Sequence, residues 1–227
     1  MAPPPTVVVA THSEHKVREL RAMLGLGGVT LVSLDDVGVT DEPIEDGLTF
    51  ETNARIKARA AARATGMPAL ADDSGLEVEA LNGGPGVWTR RYAGPNATDT
   101  QNNDKLLREL AGLPANRRGA RYVCVLALAV PDPVAPAGLR ISTRRGTTRG
   151  RIASVPRGTG GFGYDPIFEP VGEGSGGRTF AEYAPAEKDA ISHRGRAARR
   201  MLPVLRSLEM ATPDGSISLP ATVRRRA

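Results

Sequence analysis

The sequence predicts an α/β protein. Three observations carry this. A β-branched run, Thr6 to Ala10, leads into a helical pattern and then into a second short strand pattern, the signature of a βαβ unit. An alanine-rich helix then alternates with another strand over residues 49–81. The most apolar run, Val123 to Val130, is eight residues of strand length, far short of a membrane span. A chain of 227 residues can bury one sizeable core, and a single domain over 1–210 is expected. Residues 211–227 lack periodicity and read as a loose basic tail.

The elements follow in order. The first strand is continuous and apolar, as in a strand buried on both faces. Thr11 and Glu14 have the spacing of a capping box, with Val17, Leu20 and Leu24 at helical spacing and Gly25 as a stop. Val29 to Leu34 reads as a second strand, and residues 35–47 as an acidic, turn-rich loop. Thr49 opens a helix to Thr65, closed by Gly66 and Pro68. Residues 71–81 read as a strand with Asp72 and Asp73 at its end. Thr98 and Gln101 cap a helix through Leu110. Residues 120–130 and 139–149 form a strand pair across a proline-rich turn. Pro185 starts a helix over residues 186–202, and Pro203 kinks or ends it.

Composition excludes several classes. The one cysteine, Cys124, rules out an internal disulfide or a cysteine metal site, and a reducing cytoplasm fits. The start has no basic n-region and is no signal peptide. The formal charge is +5, but three of the charges are Arg224, Arg225 and Arg226 in the tail. With only 4% aromatic residues, a nucleic-acid platform is not expected. Of 30 basic residues only Lys16, Lys57, Lys105 and Lys188 are lysines. In so arginine-rich a chain, a lysine points to a place that needs a compact ammonium.

Four segments carry candidate chemistry. Thr11-His12-Ser13-Glu14-His15-Lys16 lies where a buried strand meets a helix, and its donors suit a phosphate chain. An ordinary capped surface helix is the competing reading. Asp72 and Asp73 alternate on a strand, so one of them faces a given cleft. With Mg²⁺, one carboxylate can position and activate a water, and Glu42, Glu45 or Asp46 can add an oxygen ligand. In the glycine loop at 158–166, Phe162 offers a stacking face and Asp165 an acceptor, unless Phe162 and Tyr164 are core. Lys188, Ser192, His193 and Arg194 group donors and positive charge, or form a charged helix surface. Cys124 and Trp88 read as structural.

Together THSEHK, ADDSGLEVEALNGGPGVWTRRYAG, GTGGFGYDPIF and KDAISHRG resemble the inosine triphosphate pyrophosphatase family, the XTP/dITP diphosphatases, over about Thr6 to Leu208. The resemblance implies a single two-lobed α/β unit with a long mixed β-sheet flanked by helices, an active-site cleft between the lobes, and a homodimer. It implies hydrolysis of the purine nucleoside triphosphates ITP, dITP and XTP to the monophosphate and pyrophosphate with Mg²⁺, in the cytoplasm, with no nucleic-acid or membrane partner. Carried over by position, residues Thr11 to Lys16 hold phosphates. Asp73 is the catalytic carboxylate and a metal ligand, Ser74 stands beside it, and Glu45 helps hold the metal. Phe162, Gly163, Tyr164, Asp165, Lys188, His193 and Arg194 form the base and sugar pocket. One departure stands out: the family's Thr-Gly-Asn-x-x-Lys reads Thr11-His12-Ser13-x-x-Lys16 here.

Overall fold

The computed structural model describes residues 4–25, 29–41, 43–172 and 176–210. Glu42 and the 211–227 tail lie outside them, as do the side chains of Glu14 and His15. The described strands are β1 (Thr6–Val9), β2 (Thr30–Ser33), β3 (Ala69–Val78), β4 (Gly119–Pro131), β5 (Leu139–Ile152) and β6 (Phe168–Pro170). The helices are α1 (Glu14–Leu24), α2 (Phe50–Thr65), α3 (Asp99–Glu109), α4 (Pro185–Ile191) and α5 (His193–Met210). The strands form one mixed sheet in the order β2-β1-β3-β4-β5-β6. β2, β1 and β3 run parallel, and β3 to β6 pair antiparallel. This is the α/β class that the sequence predicts, with the parallel βαβ start. No helix among the described residues is long and apolar enough to cross a membrane.

Three apolar clusters build the core. Ala54, Ala58 and Ala61 of α2 pack on the sheet face that carries Ala69, Ala71, Val125 and Ala127. On the opposite face Val17 and Leu20 of α1 and Ala197, Met201 and Leu205 of α5 meet Leu70, Leu126 and Leu128. The alternation within β3 and β4 assigns each residue to one of these faces. The third cluster closes the far end of β3 and β4, where Leu76, Tyr122, Tyr164, Phe168 and Phe180 meet Leu106 of α3. Gly146 of β5 lets α5 approach: a Cβ there would stand 2.1 Å from the His193 carbonyl oxygen.

Local signals set several boundaries as expected. Thr49 accepts the Thr52 N–H and caps α2, and Gly66 ends it at φ +68°. Thr98 and Gln101 form both bonds of a capping box on α3. Three expectations are corrected. Ser13, not Thr11, caps α1; its Oγ accepts the Lys16 N–H, while Thr11 Oγ1 accepts the Ser13 N–H. Asp72 and Asp73 lie in the middle of β3, not at its end, because β3 leaves β1 after Leu70 and continues along β4 to Val78. The helix expected from Pro185 is two helices, since Ser192 is extended (ψ 157°). Its Oγ accepts the Gly195 N–H, and a Cβ on Gly195 would strike the Asp189 carbonyl at 1.9 Å. Pro203 does not end α5. The buried Ala197, Ala198, Met201 and Leu205 hold α5 against the sheet, which offsets a proline cost of roughly 3 kcal/mol.

Candidate active site

β3 outruns β1 by eight residues, and the cleft opens where it does so. A cavity of about 850 Å³ lies there. The turn after β1 forms one wall, α2 a second, and the glycine loop with the start of α5 a third. Of the paired carboxylates, Asp73 lines this cavity and Asp72 does not. They project to opposite faces of β3, as strand alternation requires.

Asp72 faces α1 and α5. It is 1% exposed. Lys16 Nζ stands 2.6 Å from Oδ1, and Arg194 Nε and Cys124 Sγ each donate to Oδ2 at 3.2 Å. Burial alone would raise its pKa. The nearby Arg194 and Lys16 charges outweigh burial and hold the carboxyl well below its ordinary value. Its ionised form therefore stabilises the fold above the unfolded aspartate pKa, and that contribution is lost as pH falls through the lower folded value. Urea titrations should show a stability deficit of Asp72→Asn at pH 7 that persists below pH of about 4, the ordinary aspartate pKa. The deficit should close only in stronger acid. A deficit that vanished already near pH 5 would contradict this pairing.

Asp73 faces α2, where Lys57 donates to Oδ1 at 2.8 Å. The same ammonium is 3.1 Å from Glu45 Oε2. Asn53 Oδ1 accepts the Gly47 N–H and ties the Glu45 loop to the start of α2. Burial pushes the Lys57 pKa down, but Asp73 and Glu45 outweigh it and hold the ammonium above its ordinary value. Two carboxylates thus converge on one cation and leave an excess negative charge. Hard oxygen donors in that arrangement fit a magnesium-type ion, which is held by one or two carboxylates and keeps waters or phosphate oxygens. No group of three or more candidate metal-binding side chains is present among the described residues.

The other end of the cavity is cationic and aromatic. Gly161 (φ +73°) permits the tight loop that brings the Phe162 N–H to Asp165 Oδ2 at 2.9 Å. Lys188 donates to the same oxygen at 2.7 Å and to Glu19 Oε1 at 3.2 Å. Phe162 lines the cavity, with Lys188 Nζ 5.1 Å and Arg194 Cζ 5.5 Å from its ring centre. Gly163 also lines the cavity, and its N–H donates to Asp99. Tyr164 is buried in the third cluster and donates its hydroxyl to the Thr89 carbonyl. His193 stacks on Tyr122 at 4.4 Å between centres, and its buried Nδ1 has no partner among the described residues. Burial, aided by Arg194 and Lys188, holds its pKa well below the imidazole range, so the ring is neutral. Arg194 is 2% exposed and donates to Asp72, Glu19 and Ser74.

The expected residues therefore converge. Thr11, His12, Ser13, Lys16, Glu45, Asp73, Ser74, Phe162, Gly163, Tyr164, Asp165, Lys188, His193 and Arg194 all line the one cavity. Glu14 and His15 open α1, and their side chains lie outside the described residues. Arg194 belongs to the interior rather than to a charged helix surface. The sequence reading passed over Lys57, Glu19 and Tyr122. Lysine scarcity is the signal that reaches Lys57: Lys16, Lys57 and Lys188 all line the cavity, and only Lys105 does not.

Residues 7–204 match the Ham1 family. The chain belongs to the Ham1 family. It is 50% identical over 205 residues to a Nocardia farcinica protein named dITP/XTP pyrophosphatase, covering 89% of this chain and 95% of that one. The Mycobacterium tuberculosis (strain H37Rv) protein of the same name is 49% identical over 205 residues, covering 89% and 96%. A HAM1 protein structure from Coxiella burnetii superposes with a TM-score of 0.78 at 42% identity, covering 89% of this chain and 99% of the other. A Mycobacterium abscessus structure titled as a nucleoside-triphosphatase and dITP/XTP pyrophosphatase gives 0.69 at 46% identity, covering 87% and 99%.

Proposed function

We propose that this Ham1 family chain hydrolyses ITP, dITP and XTP to the nucleoside monophosphate and pyrophosphate. The observation that carries the reading is the cavity itself. It joins a phosphate-suited turn and Lys16 to Asp73, with Phe162 and His193 at the opposite end. Relatives of about half-identical sequence bear the name dITP/XTP pyrophosphatase.

Asp73 and Glu45 are the groups that would hold Mg²⁺, and the Lys57 ammonium between them holds the two carboxyl groups convergent. The bound ion supplies charge neutralisation of the triphosphate. Asp73 orients the attacking water by accepting its hydrogen bond, with the α-phosphorus in line and pyrophosphate as leaving group. Lys16 and the N–H groups at the start of α1 offset charge on the phosphates. Lys16 is shared with Asp72, which fixes its ammonium before substrate arrives.

At the base end, Phe162 gives a stacking face. Neutral His193 and the N–H groups of Arg194 not used on Asp72, Glu19 and Ser74 supply donors for a 6-oxo group. Adenine presents an amino donor there, and two facing donors leave a buried group unpaired. Residues 1–210 are the catalytic unit of this proposal, acting as a homodimer in the cytoplasm on small nucleotides rather than on nucleic acid. Phosphorus NMR of an ITP reaction with Mg²⁺ should show IMP and pyrophosphate. IDP with orthophosphate would refute the assigned site of attack.

A further inference from the structure

α3 lies outside the four motifs that mark the site, yet its first two turns reach two walls of the cavity. Asp99 and Asn102 line the cavity, as do Thr89, Arg90 and Gly163. Asp99, Asn102, Asn103 and Leu106 share one helix face by their three- and four-residue spacing. Leu106 and Leu110 continue that face into the third apolar cluster.

Asp99 Oδ2 accepts the Gly163 N–H at 2.6 Å, and Asn103 Nδ2 donates to the Gly163 carbonyl at 3.1 Å. Both backbone polar groups of Gly163, which stands at φ +63°, are thus held by α3. On the other side of the loop, Asp165 holds the Phe162 N–H. Asn102 holds the facing wall: its Oδ1 accepts the Ala93 N–H at 2.8 Å and its Nδ2 donates to the Arg90 carbonyl at 3.0 Å. Tyr164 spans the two walls through its bond to the Thr89 carbonyl.

Stability does not account for Asn103. It is 6% exposed, and its Oδ1 is buried without a hydrogen-bond partner among the described residues. An unpaired buried acceptor costs free energy that an apolar side chain beside Leu106 would not. Turning the amide over would set Oδ1 against the Gly163 carbonyl, acceptor on acceptor. What the side chain gains in its place is the bond that fixes Gly163.

We propose that Asp99 and Asn103 are positioning residues for the substrate base, which act through Gly163 by holding the ring of Phe162 in place. The proposal rests on reading that end of the cavity as a purine site with Phe162 as its stacking face.

IMP and inorganic tripolyphosphate, titrated calorimetrically into the full chain, test this. Asp99 is exposed, and Thr98 and Gln101 keep the cap of α3, so Asp99→Ala retains the fold. It should bind IMP about fivefold more weakly, the effect of one ordinary hydrogen bond. Asn103→Ala should show a similar loss. Asp99→Asn keeps an acceptor for the Gly163 N–H and should bind IMP like wild type. Tripolyphosphate has no base to stack, so all four proteins should bind it alike. In a Phe162→Leu background, Asp99→Ala should have no further effect on IMP. Equal IMP affinity in wild type and Asp99→Ala would overturn the proposal. So would a matching loss of tripolyphosphate binding, an Asp99→Asn variant as weak as the alanine, or an undiminished Asp99→Ala effect in the Phe162→Leu background. Wild-type pyrophosphate release from ITP, measured alongside, separates the two claims. Its absence with Asp99-dependent IMP binding faults the proposed reaction alone, and normal release with Asp99-independent IMP binding faults this proposal alone.

Discussion

Arg194→Ala is expected to destabilise the protein by about 3–5 kcal/mol, the cost of removing one partner from a buried ion pair. Arg194 is 2% exposed, and its guanidinium holds Asp72, Glu19 and Ser74 together. Alanine would leave Asp72 with Lys16 and Glu19 with Lys188, each short of one cation. The expected loss therefore lies at the lower end of that range. Sequence reasoning placed Arg194 in the base and sugar pocket; its burial adds a structural role. Urea unfolding followed by circular dichroism measures the effect. A loss below about 1 kcal/mol, the range of exposed pairs, would show that the guanidinium is not a structural member of the site. Among molecules that still fold, the preference for ITP over ATP should narrow.

Asp73→Asn is expected to lose at least about two orders of magnitude in kcat, in the range for loss of a positioned general base. Asparagine keeps the size of the side chain, and Glu45 still pairs with Lys57. The variant should therefore fold and bind nucleotide. Pyrophosphate release at saturating ITP gives kcat directly. Turnover within about threefold of wild type would remove Asp73 from the chemistry, since a catalytic proton acceptor is worth far more than that. Lys16→Ala should behave differently. It touches the part common to every nucleoside triphosphate, so kcat/KM should fall by a similar factor for each.

Local chemistry explains why some of this architecture can be read from the chain. Thr49 and Gly66 carry their own capping instructions within a few residues of α2. Thr98 and Gln101 do the same for α3. The end of β3 does not behave this way. Its carboxylates sit mid-strand because β4 supplies a partner as far as Val78, and β4 is some fifty residues distant in sequence. Pro203 within α5 is similar: the local rule for proline yields to packing against the sheet. In the site, most of the described side chains marked by short motifs line one cavity. Lys57 lies in an alanine-rich helix with no motif around it, and only its rarity as a lysine signals it. Glu19 follows Lys16 by three positions on α1, which puts both on the helix face turned to α5. The His12 contact with Asp35 spans 23 residues, and no local pattern announces it.

The most direct test of the central claim is kcat/KM for pyrophosphate release from ITP and from ATP, measured under the same conditions with Mg²⁺. A donor-lined base end that rejects the adenine amino group predicts a preference for ITP of about two orders of magnitude or more. Equal values for the two nucleotides would contradict it.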